Sequence, residues 1–190
     1  GPTIKVPPNH INSIIGRGLG GIITGQIARI GSLKLGKYQI PDDITNFPDP
    51  NSYMDSIKNN RAIFRNGAIG GEILSRFTII FNLPYEKVYF KKNQSFKKKF
   101  YYNQSGLTLR AEGVNLRRFK ITDVRDSSSA AKSDIQEGDI ILMINGLSAG
   151  RFELNTINAL LNSKPGKKIS LQIERAGKVL ERKFLLENPI

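Results

Sequence analysis

Residues able to do chemistry are few in this chain of 190 residues. It has no cysteine and one histidine, His10, so thiol nucleophiles, disulfides and Cys/His zinc clusters are excluded, and a histidine-based triad very nearly so. No metal or cofactor is expected, and His10 reads as a surface histidine. The spacing Gly16-Arg17-Gly18-Leu19-Gly20-Gly21 fits a dinucleotide-phosphate loop, with Asp42 falling about 20 residues further on as such a site requires. The following residues argue against it. Ile22-Ile23-Thr24-Gly25-Gln26-Ile27 is β-branched and broken by glycine, where a phosphate site needs a helix N-terminus. A mobile glycine-rich hairpin around Gly18, Gly20 and Gly21 fits the residues better.

The formal charge of +13 raises nucleic acid as a partner. Residues 1–105 hold 15 Lys/Arg against 6 Asp/Glu, and residues 106–190 hold 14 against 10, so the excess lies in the first part. Its densest piece runs from Lys87 to Lys99, with Lys91, Lys92, Lys97, Lys98 and Lys99 between Tyr89, Phe90, Phe96, Phe100, Tyr101 and Tyr102. Such interleaving can clamp a single strand by stacking and phosphate contact. No RNA- or DNA-binding motif accompanies it, so Val88, Phe90 and Phe96 are read instead as strand residues facing a core, with the lysines in solvent.

The elements that must position any site are mostly strands. Apolar runs are short, rich in Ile, Val, Phe and Tyr, and bounded by Gly, Pro, Asn or Asp. Strands are predicted at Ile22–Ile30, Leu33–Leu35, Thr78–Leu83, Val88–Lys91, Leu107–Arg110, Lys120–Val124, Ile140–Ile144, Ile169–Arg175 and Leu180–Leu186. Helices are predicted at Glu72–Phe77 and at Leu154–Leu161, where Leu154, Ile157, Leu160 and Leu161 recur at helical spacing. Asp42–Asn60, with Pro48 and Pro50, reads as a long surface loop or weak helix. No apolar run reaches the roughly 18 residues of a membrane span. Length and composition suit two small domains, divided in the lysine-rich stretch Asn93–Ser105: residues 1–100 and residues 105–188.

The second of these resembles a PDZ domain. Gly106-Leu107-Thr108-Leu109 is similar to the Gly-Leu-Gly-Phe loop whose backbone N–H groups hold a peptide's terminal carboxylate, with Thr108 in place of the second glycine. Ser129-Ala130-Ala131, Ile135-Gln136-Glu137-Gly138-Asp139-Ile140-Ile141 and Ile144-Asn145-Gly146 follow in the order of the bacterial PDZ pattern. Pro165-Gly166 and the turn Arg175-Ala176-Gly177-Lys178 complete the match. The resemblance implies capture of an extended peptide or protein C-terminus by β-augmentation. Gly106, Leu107, Thr108 and Leu109 would supply the loop and first groove strand, and Leu107, Leu109, Ile157 and Leu161 the pocket. Leu154 and Asn158 would lie near the third residue from the peptide's end. No histidine stands at the helix start, so an apolar C-terminus is expected rather than Ser/Thr selectivity.

The first part resembles the later portion of a retropepsin-like aspartic peptidase domain. Ala68-Ile69-Gly70 matches the family's apolar-apolar-glycine element, which leads into a short helix, and Gly18, Gly20 and Gly21 would lie in the flap. Thr78–Asn82, the turn Pro84-Tyr85-Glu86-Lys87 and Val88–Phe90 are similar to its closing hairpin. The family's Asp-Thr/Ser-Gly loop is missing: Asp55-Ser56-Ile57 and Asp126-Ser127-Ser128 come nearest and lack the glycine. The shared-proton dyad needs two such carboxylates, so no residue here is assigned as catalytic. Gly1-Pro2 resembles the remnant of a removed tag. The expectation is therefore a mainly β chain with short helices: a partial retropepsin-like β domain, then a PDZ-like α+β domain of sandwich or partly open barrel form. It would be an inert C-terminal piece of a bacterial peptidase of the periplasm, envelope or exterior. A non-enzymatic peptide-binding scaffold is the alternative.

Overall fold

The computed structural model describes residues 5–18, 21–49 and 67–190. Among them the fold is mainly β, with a few short helices. Strands β1 (His10–Gly18), β2 (Gly21–Leu35) and β3 (Tyr38–Pro48) form an antiparallel sheet in the order β1-β2-β3. A four-residue helix α1 (Gly71–Leu74) leads into a two-stranded hairpin, β4 (Phe77–Asn82) with β5 (Lys87–Lys92). The remaining strands are β6 (Leu107–Glu112), β7 (Arg118–Val124), β8 (Ile140–Ile144), β9 (Leu147–Ser148), β10 (Lys168–Arg175) and β11 (Lys178–Leu185). They make one sheet in the order β11-β10-β8-β7-β6, with β9 paired to β8. This sheet stays open rather than closing into a barrel, so β6 keeps a free edge. Helices α2 (Ser129–Lys132) and α3 (Leu154–Leu161) complete this part.

Two buried clusters hold these elements. One is built from residues 107–186, with Phe119, Ile121, Ile157, Ile169, Leu171 and Ile173 almost without solvent contact. An eight-residue helix is too short to persist alone. What holds α3 is burial of Ile157 and Leu161, each contributing roughly 1.5–3 kcal/mol at most. The other cluster joins Ile40, Ile73, Phe77 and Phe100, with Phe77 tilted or edge-on to Tyr38, Phe90 and Phe96 at 5.2–5.5 Å between ring centroids.

Arg76 lies beside this second cluster and is 1% exposed. A buried cation requires partners, and both terminal nitrogens of this guanidinium have them, while its Nε has no hydrogen-bond acceptor among the described residues. Its guanidinium lies over the Phe100 ring at 3.5 Å and pairs with Glu72 at 3.0 Å. It also donates to the carbonyls of Ser95, Phe96 and Lys98. The lysine-rich stretch is thereby wrapped around one arginine. Phe90 and Phe96 are partly buried as expected, but Phe96 sits in the turn after β5 rather than on a strand, and Val88 is exposed.

Several expectations need correction. Ile22–Ile30 and Leu33–Leu35 are one strand, because β3 pairs continuously along β2 from Gly25↔Pro48 to Leu35↔Tyr38. Gly25 permits this: a Cβ there would come within 2.4 Å of the Phe47 carbonyl. The segment from Asp42 to Pro48 is strand, not loop or weak helix. Pairing and burial override its poor β propensity, and Asp43 is only 6% exposed. Residues 50–60 of that segment lie outside the described residues. The helix expected at Glu72–Phe77 ends at Leu74, because Phe77 is drawn into the aromatic cluster as the first residue of β4. Strand β1 and helix α2 have no counterpart among the predicted elements.

Candidate peptide-binding groove

The groove is framed by the free edge of β6 and by α3, which packs beside it. The loop entering β6 is set by local hydrogen bonds. Gly106 has φ +82 and approaches Ser128 so closely that a Cβ would stand 2.2 Å from the Ser128 Cβ. Asn103 Oδ1 accepts the Gly106 N–H at 2.8 Å, and Asn103 Nδ2 donates to the Leu107 carbonyl at 3.2 Å. Ser105 Oγ accepts the Leu107 N–H at 3.2 Å. One amide expected to face a carboxylate is therefore held by a hydroxyl of the chain itself.

The motif residues downstream hold this loop from behind. Ser128 caps α2 by accepting the Ala131 N–H at 3.2 Å, and the Ala130 N–H donates to the Ser105 carbonyl. Asp139, 1% exposed, accepts the Gln136 N–H at 2.9 Å and both arms of Arg175 at 2.7 and 2.9 Å. This charge-assisted fork raises the Arg175 pKa. Asn145 and Gly146, both at positive φ, form the two-residue turn joining Ile144 to Leu147. Asn145 Oδ1 also receives the Ser170 N–H at 2.9 Å.

Of the expected groove residues, Leu107, Ile157 and Leu161 are buried in the core at 6%, 1% and 2% exposure. Leu109 and Leu154 are partly buried against the same cluster, Asn158 is half-buried and Thr108 is exposed. The surface open to a ligand is thus Thr108, Leu109, Leu154 and Asn158, standing over a floor of Leu107, Ile157 and Leu161.

Sequence reasoning missed Arg125, whose backbone N–H donates to the Gly106 carbonyl at 2.8 Å and whose Nη1 donates to the Asn103 carbonyl at 3.2 Å. Burial lowers its pKa, while Tyr102 and Asp123 oppose the shift; an arginine stays cationic regardless. It places a positive charge behind the loop. In the sequence Asn103 and Ser105 read as part of the polar boundary stretch, their one signal being polarity just before Gly106.

Elsewhere, Gly18 pairs with Gly21 to close the β1–β2 hairpin, and Gly20 lies outside the described residues. Ala68, Ile69 and Gly70 are exposed ahead of α1, with the Gly70 carbonyl accepting the N–H groups of Ile73 and Leu74. A basic cleft of about 780 Å³ is lined by Arg29, Arg76 and Lys97–Lys99 among others. Arg29 already donates to the carbonyls of Asp42, Phe100 and Ile190, and Arg76 is engaged as above. Neither guanidinium is free to serve as a nucleic-acid clamp. No helix among the described residues is long and apolar enough to cross a membrane.

Comparison with known proteins bears on the same segment. The chain is 41% identical over 70 residues to the serine endoprotease DegS of Haemophilus influenzae, an overlap of 35% of this chain and 19% of that protein. It thus matches about a fifth of the relative's length. A serine endoprotease structure from Yersinia pestis is 24% identical, covering 43% of this chain and 27% of the other with a TM-score of 0.35. The HtrA3 PDZ domain bound to a phage-derived ligand is 22% identical, covering 42% and 80%, also at 0.35. The DegS relative is named a serine endoprotease, so the retropepsin-like resemblance gains no support from it. The sequence profile of the PDZ domain matches residues 88–185, more than half of the chain and the whole of the sheet that carries the loop and its buttresses: the chain belongs to the PDZ domain family.

Proposed function

We propose that residues 105–188 bind an extended peptide by adding it as a strand to β6. The observation that carries this is the unpaired edge of β6 lying beside α3, at the opposite end of the sheet from the other edge strand, β11. Main-chain bonds along the edge supply sequence-tolerant affinity, and the α3 side supplies selectivity. Leu154 stands at the helix start, which favours apolar residues in the ligand. Arg125 and the amides after Gly106 favour a free carboxylate at its end, in competition with Ser105 Oγ. A short flexible peptide loses conformational freedom on binding, so affinity is expected on the order of micromolar, about 8 kcal/mol.

The test is an amide-NMR titration with peptides ending in apolar residues, each with a free or a blocked C-terminus. Shifts on Leu107–Arg110 and Leu154–Leu161 support the site. Shifts on Lys87–Lys99 instead, or none with any peptide, refute it. Leu154→Glu should weaken binding at least tenfold, whereas charge changes at the exposed Lys164 and Lys178 should do nothing.

A second reading concerns a longer protein. The serine endoprotease relative favours a peptidase whose PDZ domain positions peptides, with the cell envelope as its place. The aspartic class rests on the sequence resemblance alone, and the relative's name speaks for a serine enzyme. Residues 1–100 and 105–188 would then be separate units. Assaying the whole protein with inhibitors specific to serine and to aspartic peptidases decides the class, and no turnover at any pH leaves the scaffold reading.

A further inference from the structure

We propose that the groove has a second wall, formed by Ile14, Ile15 and Gly16 of β1, which reads the peptide side chains that point away from α3. This rests on the peptide-binding reading above. Along β6, Leu107 is buried, Thr108 exposed and Leu109 partly buried, so successive side chains alternate between the core face and the outer face. A peptide strand added to this edge alternates in the same way, and residues directly opposite one another share a face. If its last side chain turns toward Leu107 and α3, its penultimate one turns toward Thr108.

That outer face is not bare. Ile14, Ile15, Gly16 and Thr108 together line an open notch of about 180 Å³. Strand β1 is the edge of its own sheet, and its register shifts between Ile14 and Gly16, the kind of irregularity that re-aims side chains. Ser13 Oγ lies 3.4 Å from the Tyr102 hydroxyl, which ties β1 to the segment leading into the loop. Lined by two isoleucines and a glycine beside Thr108, the notch offers one aliphatic or phenyl side chain an apolar surface to lie against. Thr108, the departure from the Gly-Leu-Gly-Phe pattern, supplies its fourth side. A glycine there would leave the notch open toward β6. The ligand class is an extended peptide with an apolar penultimate residue.

The experiment is calorimetric titration of the full chain with peptides sharing one apolar C-terminal residue and carrying Leu, Gly or Asp before it. Wild type should prefer Leu to Gly and Asp by about tenfold. Thr108→Gly and Ile15→Ser should each reduce that preference below threefold, and Ile15→Ser, outside the β6 loop, should leave the Gly peptide's affinity within twofold. Thr108 is exposed, so its variant is not expected to unfold. Binding of all three peptides with equal affinity overturns the second wall and leaves β-augmentation standing, as does a Leu preference unchanged in both variants. If wild type binds none of the peptides, β-augmentation itself falls, and the second wall with it.

Discussion

Replacing Gly106 with alanine should destabilise the PDZ part severely, and the structure says how much of the loss is steric. The new Cβ would stand 2.2 Å from the Ser128 Cβ and 2.3 Å from its Oγ, far inside van der Waals contact. Three effects add. Holding alanine at φ +82 costs roughly 1–2 kcal/mol. Forcing the buried Ser128 aside costs about 1–3 kcal/mol as overpacking. If Ser128 swings away from the Ala131 N–H, the α2 cap goes too, for roughly 0.5–2 kcal/mol. The total, roughly 2.5–7 kcal/mol, is a large part of a domain's usual 5–15 kcal/mol. Urea denaturation followed by the amide signals of β8 and β10 measures it. The decisive comparison is the double variant Gly106→Ala/Ser128→Gly. Serine to glycine at a cap loses only a few tenths of a kcal/mol, and it removes both clashing atoms. The double variant should therefore recover about 1–5 kcal/mol, retaining the backbone strain and the small cap loss. Equal loss in single and double variants, or a single-variant loss below about 0.5 kcal/mol, would show that the approach to Ser128 is not what requires glycine.

Arg175→Met should cost about 3–5 kcal/mol in urea unfolding because it strands the buried Asp139 carboxylate; a loss under about 1 kcal/mol would mean that the Gln136 N–H suffices. Burial pushes the Asp43 carboxyl above its ordinary value, against the opposing Ile44 N–H and Arg76. A raised folded-state pKa disfavours the folded form while the group is ionised and ceases to do so as pH falls through that value. The Tm of wild type minus that of Asp43→Asn should therefore rise on acidification from neutral pH, and a constant or falling difference would contradict the burial effect. Limited trypsin digestion should cut at Lys97–Lys99, whose side chains are exposed, and release a C-terminal piece that stays folded, since its buried cluster comes wholly from residues 107–186. Loss of amide dispersion in that piece would refute the division at residues 101–105.

In the PDZ part much was legible in the sequence, because its patterns are local. Helix α3 spans the residues predicted from the recurrence of Leu154, Ile157, Leu160 and Leu161, and β8 spans Ile140–Ile144 as read from its apolar run. The turn at Asn145-Gly146 is written in two residues that tolerate positive φ, and the one at Ala176-Gly177 in its glycine. Such features depend on neighbours a few positions away, and the residue types carry them. What tertiary structure alone decided depends on partners distant in the chain. Asp42–Pro48 became strand because β2 offered it an edge, and Phe77 left the helix for an aromatic cluster assembled from Tyr38, Phe90 and Phe96. Leu107, Ile157 and Leu161 read as apolar pocket residues, but only packing decided that they are buried in the core, with Leu109, Leu154 and Asn158 nearer the surface beside β6. Arg125 and the Ile14–Gly16 segment carried no signal at all, since a charge behind a loop and a strand lying beside Thr108 are relations across 19 and more than 90 positions, and burial and proximity at that range come from the fold, not from spacing.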